Sequence, residues 1–460
     1  MTSAQNHQLR LSGNNIMWLL FLLLCSCSAP KKALSAEGTQ IVKSNRVSPQ
    51  VQDTIIQPTT AGQLVKVDTI QWENISDTKK SIETSLEVPR LNQKEFYHVK
   101  LLIPLNSDET SDPAASRFVH FYAGASIAFE ELDDEGIKLH VDVVDTQEGD
   151  FKTSEKIGSI FSDNPDLIIG PFERDDLKLM TEECKNRKIP LVSPWHTSSK
   201  LTYENPYYIQ MKPNLRLHFL KLVEYAMQHY NAGEVVIVGK NNKDTNAWIK
   251  YFQEEASKVT GNNNYFSSYF VNTDSLKNGP TAYFNMFKSH TVKAVLFPHY
   301  SFDDESFIYS CIRRLSAEKA SRNISVIGMP LLYDSDKVDF DFYHALQMKI
   351  VISDFVDEDH GKIRAFRRSY LERYGEIPNA DAVKGYDLML YLGRNIWKYG
   401  IDFPQNLIYE ATTYLQSTFN VQTATSDESK ITDDAFGFDY YENKFLDIIE
   451  FKGGKWQRTY

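Results

Sequence analysis

From about residue 96 to the carboxyl end, short apolar runs alternate with stretches whose apolar residues recur at helical spacing. Residues 99–105 form a nearly continuous apolar strand. Phe118, Phe121, Tyr122, Ala125, Phe129 and Leu132 then share one face of a helix predicted over 117–133. The same alternation predicts a strand at 139–145, a helix at 151–161, a strand at 166–170, a helix at 176–187 and a strand at 189–193. After 205–209 the pattern restarts, with a helix at 215–230, a strand at 234–239 and a helix at 248–259. Further strands follow at 265–271, 293–297, 324–327 and 349–353, and helices at 361–398. Strands this apolar are buried on both faces, and a helix in each crossover implies parallel pairing with right-handed connections. The pattern therefore predicts an α/β chain with two successive doubly wound lobes.

The region upstream follows neither period. An apolar run at 16–24 is too short to span a bilayer comfortably but suits the core of a signal peptide. Leu24-Cys25-Ser26-Cys27 resembles a bacterial lipobox, which makes residues 1–27 a lipoprotein signal with Cys27 as the lipidation site. Residues 28–96 are rich in Ser, Thr, Gln, Asn and Lys and read as a flexible tether, with one strand-like stretch at 64–70. Treated as a coil, such a tether spans about 45 Å on average. No acidic export signal follows Cys27, so the expected place is the cell envelope, anchored by lipid to the outer membrane and facing the periplasm.

Composition narrows the function. The formal charge is −11, with 50 basic and 61 acidic residues in mixed order, which gives nucleic-acid binding little electrostatic support. Outside the leader only Cys184 and Cys311 remain. They fall in different predicted lobes and read as packed thiols. His196, Ser193 and Asp145 superficially offer a hydrolase set, but no Gly-x-Ser-x-Gly elbow is present. Ser316-Ala317-Glu318-Lys319 sits in a charged helical stretch without companion motifs, and Asp303-Asp304-Glu305 reads as the acidic first turn of a helix. No His or Cys cluster has zinc-ligand spacing along the chain, and no P-loop or dinucleotide fingerprint occurs. The expectation is a protein that is not an enzyme and uses no cofactor and no metal.

Several segments, in order, carry a resemblance. They are Phe121-Tyr122-Ala123-Gly124-Ala125, Val144-Asp145-Thr146, Ile169-Gly170-Pro171, Ile189-Pro190-Leu191-Val192-Ser193-Pro194 and Tyr370-Leu371-Glu372-Arg373-Tyr374-Gly375-Glu376-Ile377-Pro378. With the order of elements, they resemble the type I periplasmic binding proteins, most of all the leucine/isoleucine/valine-binding branch. The resemblance implies two Rossmann-like lobes joined by a three-crossing hinge, with crossings near Lys212, Asp354 and Leu446. The first lobe would take 97–212 plus 355–445, the second 213–354 plus 446–460, and a small solute would sit between them.

Open parallel sheets bind ligands at the carboxyl ends of their strands. The loop Ser193-Pro194-Trp195-His196-Thr197 follows such a strand, and the resemblance makes Thr197 and the Trp195 backbone the contacts for an amino acid. Phe172 and Glu173 stand where the family has a serine-rich carboxylate loop, and Asp244 stands where it has a ligand-packing tyrosine. Tyr300 matches another such tyrosine, whereas Met329-Pro330 replaces the expected Glu after Gly328. Phe172, Trp195 and Tyr300 would give the cleft aromatic walls. The implied partner is an ABC permease, for uptake or sensing. The alternative is a regulatory lipoprotein that binds a peptidoglycan synthase, a role suggested by the Gly170-Pro171-Phe172 form and the long tether.

Overall fold

The computed structural model describes residues 94–106, 113–147, 152–241, 243–263, 265–278, 282–289, 291–425 and 437–459. The expectations for Cys27, for the leader and for nearly all of the tether, including 64–70, lie outside the described residues.

Five strands come first: β1 (Tyr97–Ile103), β2 (Leu139–Asp145), β3 (Leu167–Ile169), β4 (Leu191–Ser193) and β5 (Tyr208–Gln210). Five more follow: β6 (Val235–Lys240), β7 (Ser267–Val271), β8 (Ala294–Phe297), β9 (Ser325–Gly328) and β10 (Lys349–Ile352). The tail of the chain adds β11 (Thr412–Thr413), β12 (Thr418–Phe419), β13 (Val421–Ala424), β14 (Tyr440–Asn443), β15 (Asp447–Lys452) and β16 (Lys455–Arg458). One sheet has the order β13-β14-β5-β4-β3-β1-β2 and the other β16-β15-β10-β9-β8-β6-β7, so the second repeats the first. Pairing is parallel from β2 to β14 and from β7 to β10, and antiparallel at β13–β14, β10–β15 and β15–β16. Both sheets belong to one compact unit, Leu86–Tyr460.

Alternation along the strands explains the layers. In the first sheet Val99, Leu101 and Ile103 pack on the side of helices Pro113–Asp134 and Ala380–Tyr399, while Leu102, Ile168 and Leu191 pack on the side of helix Arg174–Arg187. In the second, Val236, Val238, Val295 and Val326 face helix Glu305–Glu318. Val235, Ile237, Leu296 and Ile327 face helices Leu215–His229 and Lys243–Thr260. The central strands thus bury both faces, as their unbroken apolar runs predicted, while the edge strands β2 and β7 are only partly buried. Phe366 and Tyr370 are core, and Tyr386 and Trp397 pack against it. Cys184 and Cys311 are free, buried thiols on helices that flank different sheets. Burial pushes the Cys311 thiol up to about 12 and that of Cys184 higher still.

The chain passes between the sheets three times: after β5, after β10 and between β14 and β15. A carboxylate fastens two of these crossings. Glu442 at the end of β14 accepts hydrogen bonds from the Asn214 backbone N–H at 2.7 Å, from Asn214 Nδ2 at 3.0 Å and from Gln210 Nε2 at 3.0 Å. Asn214 also caps helix Leu215–His229 by accepting from the Leu217 N–H. Burial pushes the Glu442 carboxyl up to about 7, against the pull of those donors. A folded-state value above the ordinary 4.5 means that the folded chain holds this proton more tightly than the unfolded chain does. The resulting stability is complete below 4.5 and lost as pH rises through about 7. Urea unfolding should show wild type losing stability relative to Glu442→Gln between about pH 5 and pH 8. A difference that stays constant over that range would exclude the coupling.

Candidate functional site

In both sheets the carboxyl ends of the parallel strands carry the loops that follow them, which is where open parallel sheets meet their ligands. On the first lobe the loop after β3 begins with Gly170 at φ 90°, where a Cβ would lie 2.1 Å from the Leu102 carbonyl oxygen. Only glycine permits this close approach, and it brings Phe172 beside the loop after β4. Phe118, Phe172 and Trp195 pack ring against ring, with centroids 4.8 to 5.7 Å apart, and Phe121 closes on Trp195 at 5.1 Å. Trp195 is only 8% exposed, so its indole is part of the lobe's core, and truncating it would leave a cavity as well as alter the cleft.

His196 is committed elsewhere than to catalysis. Its Nε2–H donates to the Phe172 carbonyl oxygen, and its backbone N–H reaches Ser193 Oγ at 3.4 Å. Asp145, the other member of the superficial hydrolase set, instead accepts backbone N–H groups from Leu105, Asn106 and Gln147. Ser193 is fully buried, while Thr197 is exposed at the loop tip. Glu173 is exposed and precedes helix Arg174–Arg187 without a side-chain capping bond. The structure therefore gathers Phe172, Ser193, Trp195 and His196 into one knot, with Thr197 and Glu173 on its surface.

The second lobe offers a different wall. Tyr300 meets Trp248 edge-on at 4.7 Å, and both line a small depression with Ile249, Pro298, His299 and Asp304. His299 is buried, and neither ring nitrogen has a hydrogen-bond partner among the described residues. Burial, with the Lys240 charge nearby, pushes it down to about 4, so the ring is neutral at neutral pH. Asp244 begins the first turn of helix Lys243–Thr260, and its side chain lies outside the described residues.

Charge gathers at the hinge between these walls. Lys384 Nζ lies 2.9 Å from Asp354 Oδ2 and ties the crossing after β10 to helix Ala380–Tyr399. Arg117 lies 3.7 Å from Asp381 and sits over the rings of Phe118 and Phe172. Lys212, in the crossing after β5, feels both cations: the Lys384 charge, then burial, then Arg117 hold its ammonium down to about 8, although Asp354 and Asp334 pull the other way. Asp334 comes from the second lobe, at the end of the short helix Leu331–Asp334. Burial raises its carboxyl and Lys212 lowers it. Among the described residues neither the Lys212 ammonium nor the Asp334 carboxylate has an ion-pair or hydrogen-bond partner. Sequence reasoning used Lys212 only to mark a crossing and did not single out Asp334. The one available signal was an acid following the position where the family's glutamate is missing.

The sequence profile described as periplasmic binding protein matches residues 102–408. The chain belongs to the periplasmic binding protein family. The family and its solved relatives are solute-binding proteins rather than enzymes. No curated protein matches this periplasmic binding protein in sequence. Among solved structures it is similar to a Rhodospirillum rubrum protein named for branched-chain amino acid ABC transport, with a TM-score of 0.58 and 12% identity, over 79% of this chain and 100% of that one. A branched-chain amino acid ABC transporter periplasmic ligand-binding protein from Burkholderia xenovorans gives 0.54 and 13%, over 79% and 94%. An ABC transporter substrate-binding protein from Desulfitobacterium hafniense, in complex with Leu, gives 0.50 and 14%, over 79% and 99%. At these identities the likeness is one of fold, and it agrees with two doubly wound lobes on a three-crossing hinge. No helix among the described residues is long and apolar enough to cross a membrane.

Proposed function

We propose that this periplasmic binding protein holds a small zwitterionic solute, of the amino-acid class, between its lobes for ABC-type uptake or sensing. The observation that carries this reading is the unpartnered pair of opposite charges at the hinge, Lys212 for a carboxylate and Asp334 for an ammonium group. Lys212 is half-buried and Asp334 is exposed, so a ligand bearing the complementary groups can reach both charges before the lobes close and pair with them once water is excluded. Asp334 would supply the acid that is missing after Gly328. Thr197, the Trp195 backbone, Phe172 and Tyr300 then frame the rest of the solute, with the lobes divided as 97–212 plus 355–445 and 213–354 plus 446–460. The reading also places the body outside the cytoplasm on a lipid anchor at Cys27.

The test is mass spectrometry of small molecules released when the purified full chain is denatured, followed by X-ray scattering with each candidate. A zwitterion should be released and should reduce the radius of gyration, because closing a two-lobed hinge compacts the molecule. Cys27→Ala should move the protein from the membrane fraction to the soluble fraction. If no solute compacts the chain and it instead captures a peptidoglycan synthase from envelope extract, the regulatory alternative replaces solute binding.

A further inference from the structure

At the amino ends of β1 and β2, opposite the strand ends that carry the cleft, the parallel register sets His98 beside His140 and Lys100 beside Asp142. The turn before β3 adds Asp163, whose carbonyl oxygen lies 3.4 Å from His98 Nδ1. We infer that His98, His140 and Asp142, with Asp163 alongside, form a binding site for a divalent transition-metal ion of the zinc class.

The donor spacing supports this. His98 Nε2 lies 2.8 Å from Asp142 Oδ2 and 3.5 Å from Asp163 Oδ2, and His140 Nε2 lies 3.3 Å from Asp142 Oδ1. A tetrahedral ion with bonds of about 2.0–2.1 Å holds its donors about 3.3 Å apart, so the two imidazoles and the Asp142 carboxylate stand near the edges of one coordination polyhedron, with Asp163 beside His98. The ligand atoms of His98, His140 and Asp142 all lie within 4.8 Å of one another. Orientation agrees as well. His98 Nε2–H donates to Asp142 Oδ2 at 2.8 Å, so a metal ion would take the place of that proton, with Nδ1–H left to hold the Asp163 carbonyl oxygen. Two imidazoles with two carboxylates also suit zinc better than calcium or magnesium, which take oxygen donors.

Charge points the same way. Lys100, buried under the cluster, sets its ammonium 2.5 Å from Asp142 Oδ2 and 2.7 Å from Asp163 Oδ2. One ammonium against two carboxylates leaves a negative charge uncompensated, and the free Oδ1 face of Asp142 lies toward His140. Lys100 also repels an incoming cation, which sets the affinity below that of a closed structural site. Asp166 takes no part, because it pairs with Lys94 and accepts the His98 backbone N–H.

The experiment is calorimetric titration of the full chain, purified without a histidine tag, with Zn²⁺, alongside the visible spectrum with Co²⁺. One ion per chain should bind and produce the intense bands of tetrahedral cobalt. His140→Ala removes an exposed side chain, so the fold survives, and Asp142→Asn removes a carboxylate; each should weaken binding by about tenfold or more. Lys100→Met should tighten it by removing the competing charge. Failure to bind one equivalent of Zn²⁺, or affinity unchanged in His140→Ala, overturns the assignment. The cleft is not involved, so solute binding should be the same in all three variants.

Discussion

Lys212→Met is expected to abolish solute capture and, in the same molecule, to leave the fold as stable as before or more so. The two effects have one cause. Lys384 and Arg117 crowd the Lys212 ammonium and burial desolvates it, which is why it is held down to about 8. A lowered value for a base means that the folded state disfavours the charge, so an uncharged side chain of similar length removes a repulsion. Binding depends on that same charge. Truncating one partner of a hydrogen-bonded charge pair costs about 2–5 kcal/mol, which is about three hundredfold in affinity at the middle of the range. Affinity of the wild type should also fall as pH rises through about 8, where Lys212 loses its proton, while Lys212→Met shows no such decline. Calorimetry with the released solute, paired with thermal unfolding, reads both effects. Full affinity in Lys212→Met would remove the ammonium from the site, and a large fall in melting temperature would show that its role is structural.

Gly385→Ala and Gly124→Ala should each destabilise the first lobe by about 3 kcal/mol or more, an unusually large effect for one methyl group. Helices Pro113–Asp134 and Ala380–Tyr399 cross here with backbone against backbone. A Cβ at Gly124 would lie 1.8 Å from the Ala382 carbonyl oxygen, and one at Gly385 would lie 2.0 Å from that of Phe121. No rotamer relieves such a clash, so the helices must separate and open the core around Phe121, Ala125 and Leu388. Gly158 is the control: it lies within helix Thr153–Ile160 with nothing within 4 Å of its would-be Cβ, so Gly158→Ala should stabilise by about 0.5–1 kcal/mol. Urea unfolding of the three variants decides, and a Gly385→Ala protein as stable as Gly158→Ala would refute the packing argument.

The order of elements was legible because burial on two faces writes itself locally, as unbroken apolar runs such as 99–105 and as the helical stripe from Phe118 to Leu132. That order, repeated, was enough to predict two doubly wound lobes and to find the loops after β3, β4 and β8 where a cleft must lie. Boundaries were less legible. The helix expected at 117–133 runs Pro113–Asp134, and β11 to β16 were not foreseen, because such short strands lack a long apolar run.

What the chain order could not contain was proximity. Trp195 reads as an aromatic wall of the cleft, yet three phenylalanines from two other segments close over it and bury it in the core. Lys212 marks only a crossing in the sequence, and nothing there singles out Asp334. Their properties come from Lys384, Arg117 and Asp354, each carried in by a different part of the fold. His98 and Asp142 are 44 positions apart, a spacing no zinc motif has, and only the β1–β2 register makes them neighbours. Hydrophobic periodicity is a property of consecutive residues, so the sequence by itself determined the elements and their class. A side chain's charge state, its partners and its access to solvent are sums over everything nearby in space, and the tertiary structure alone decided those.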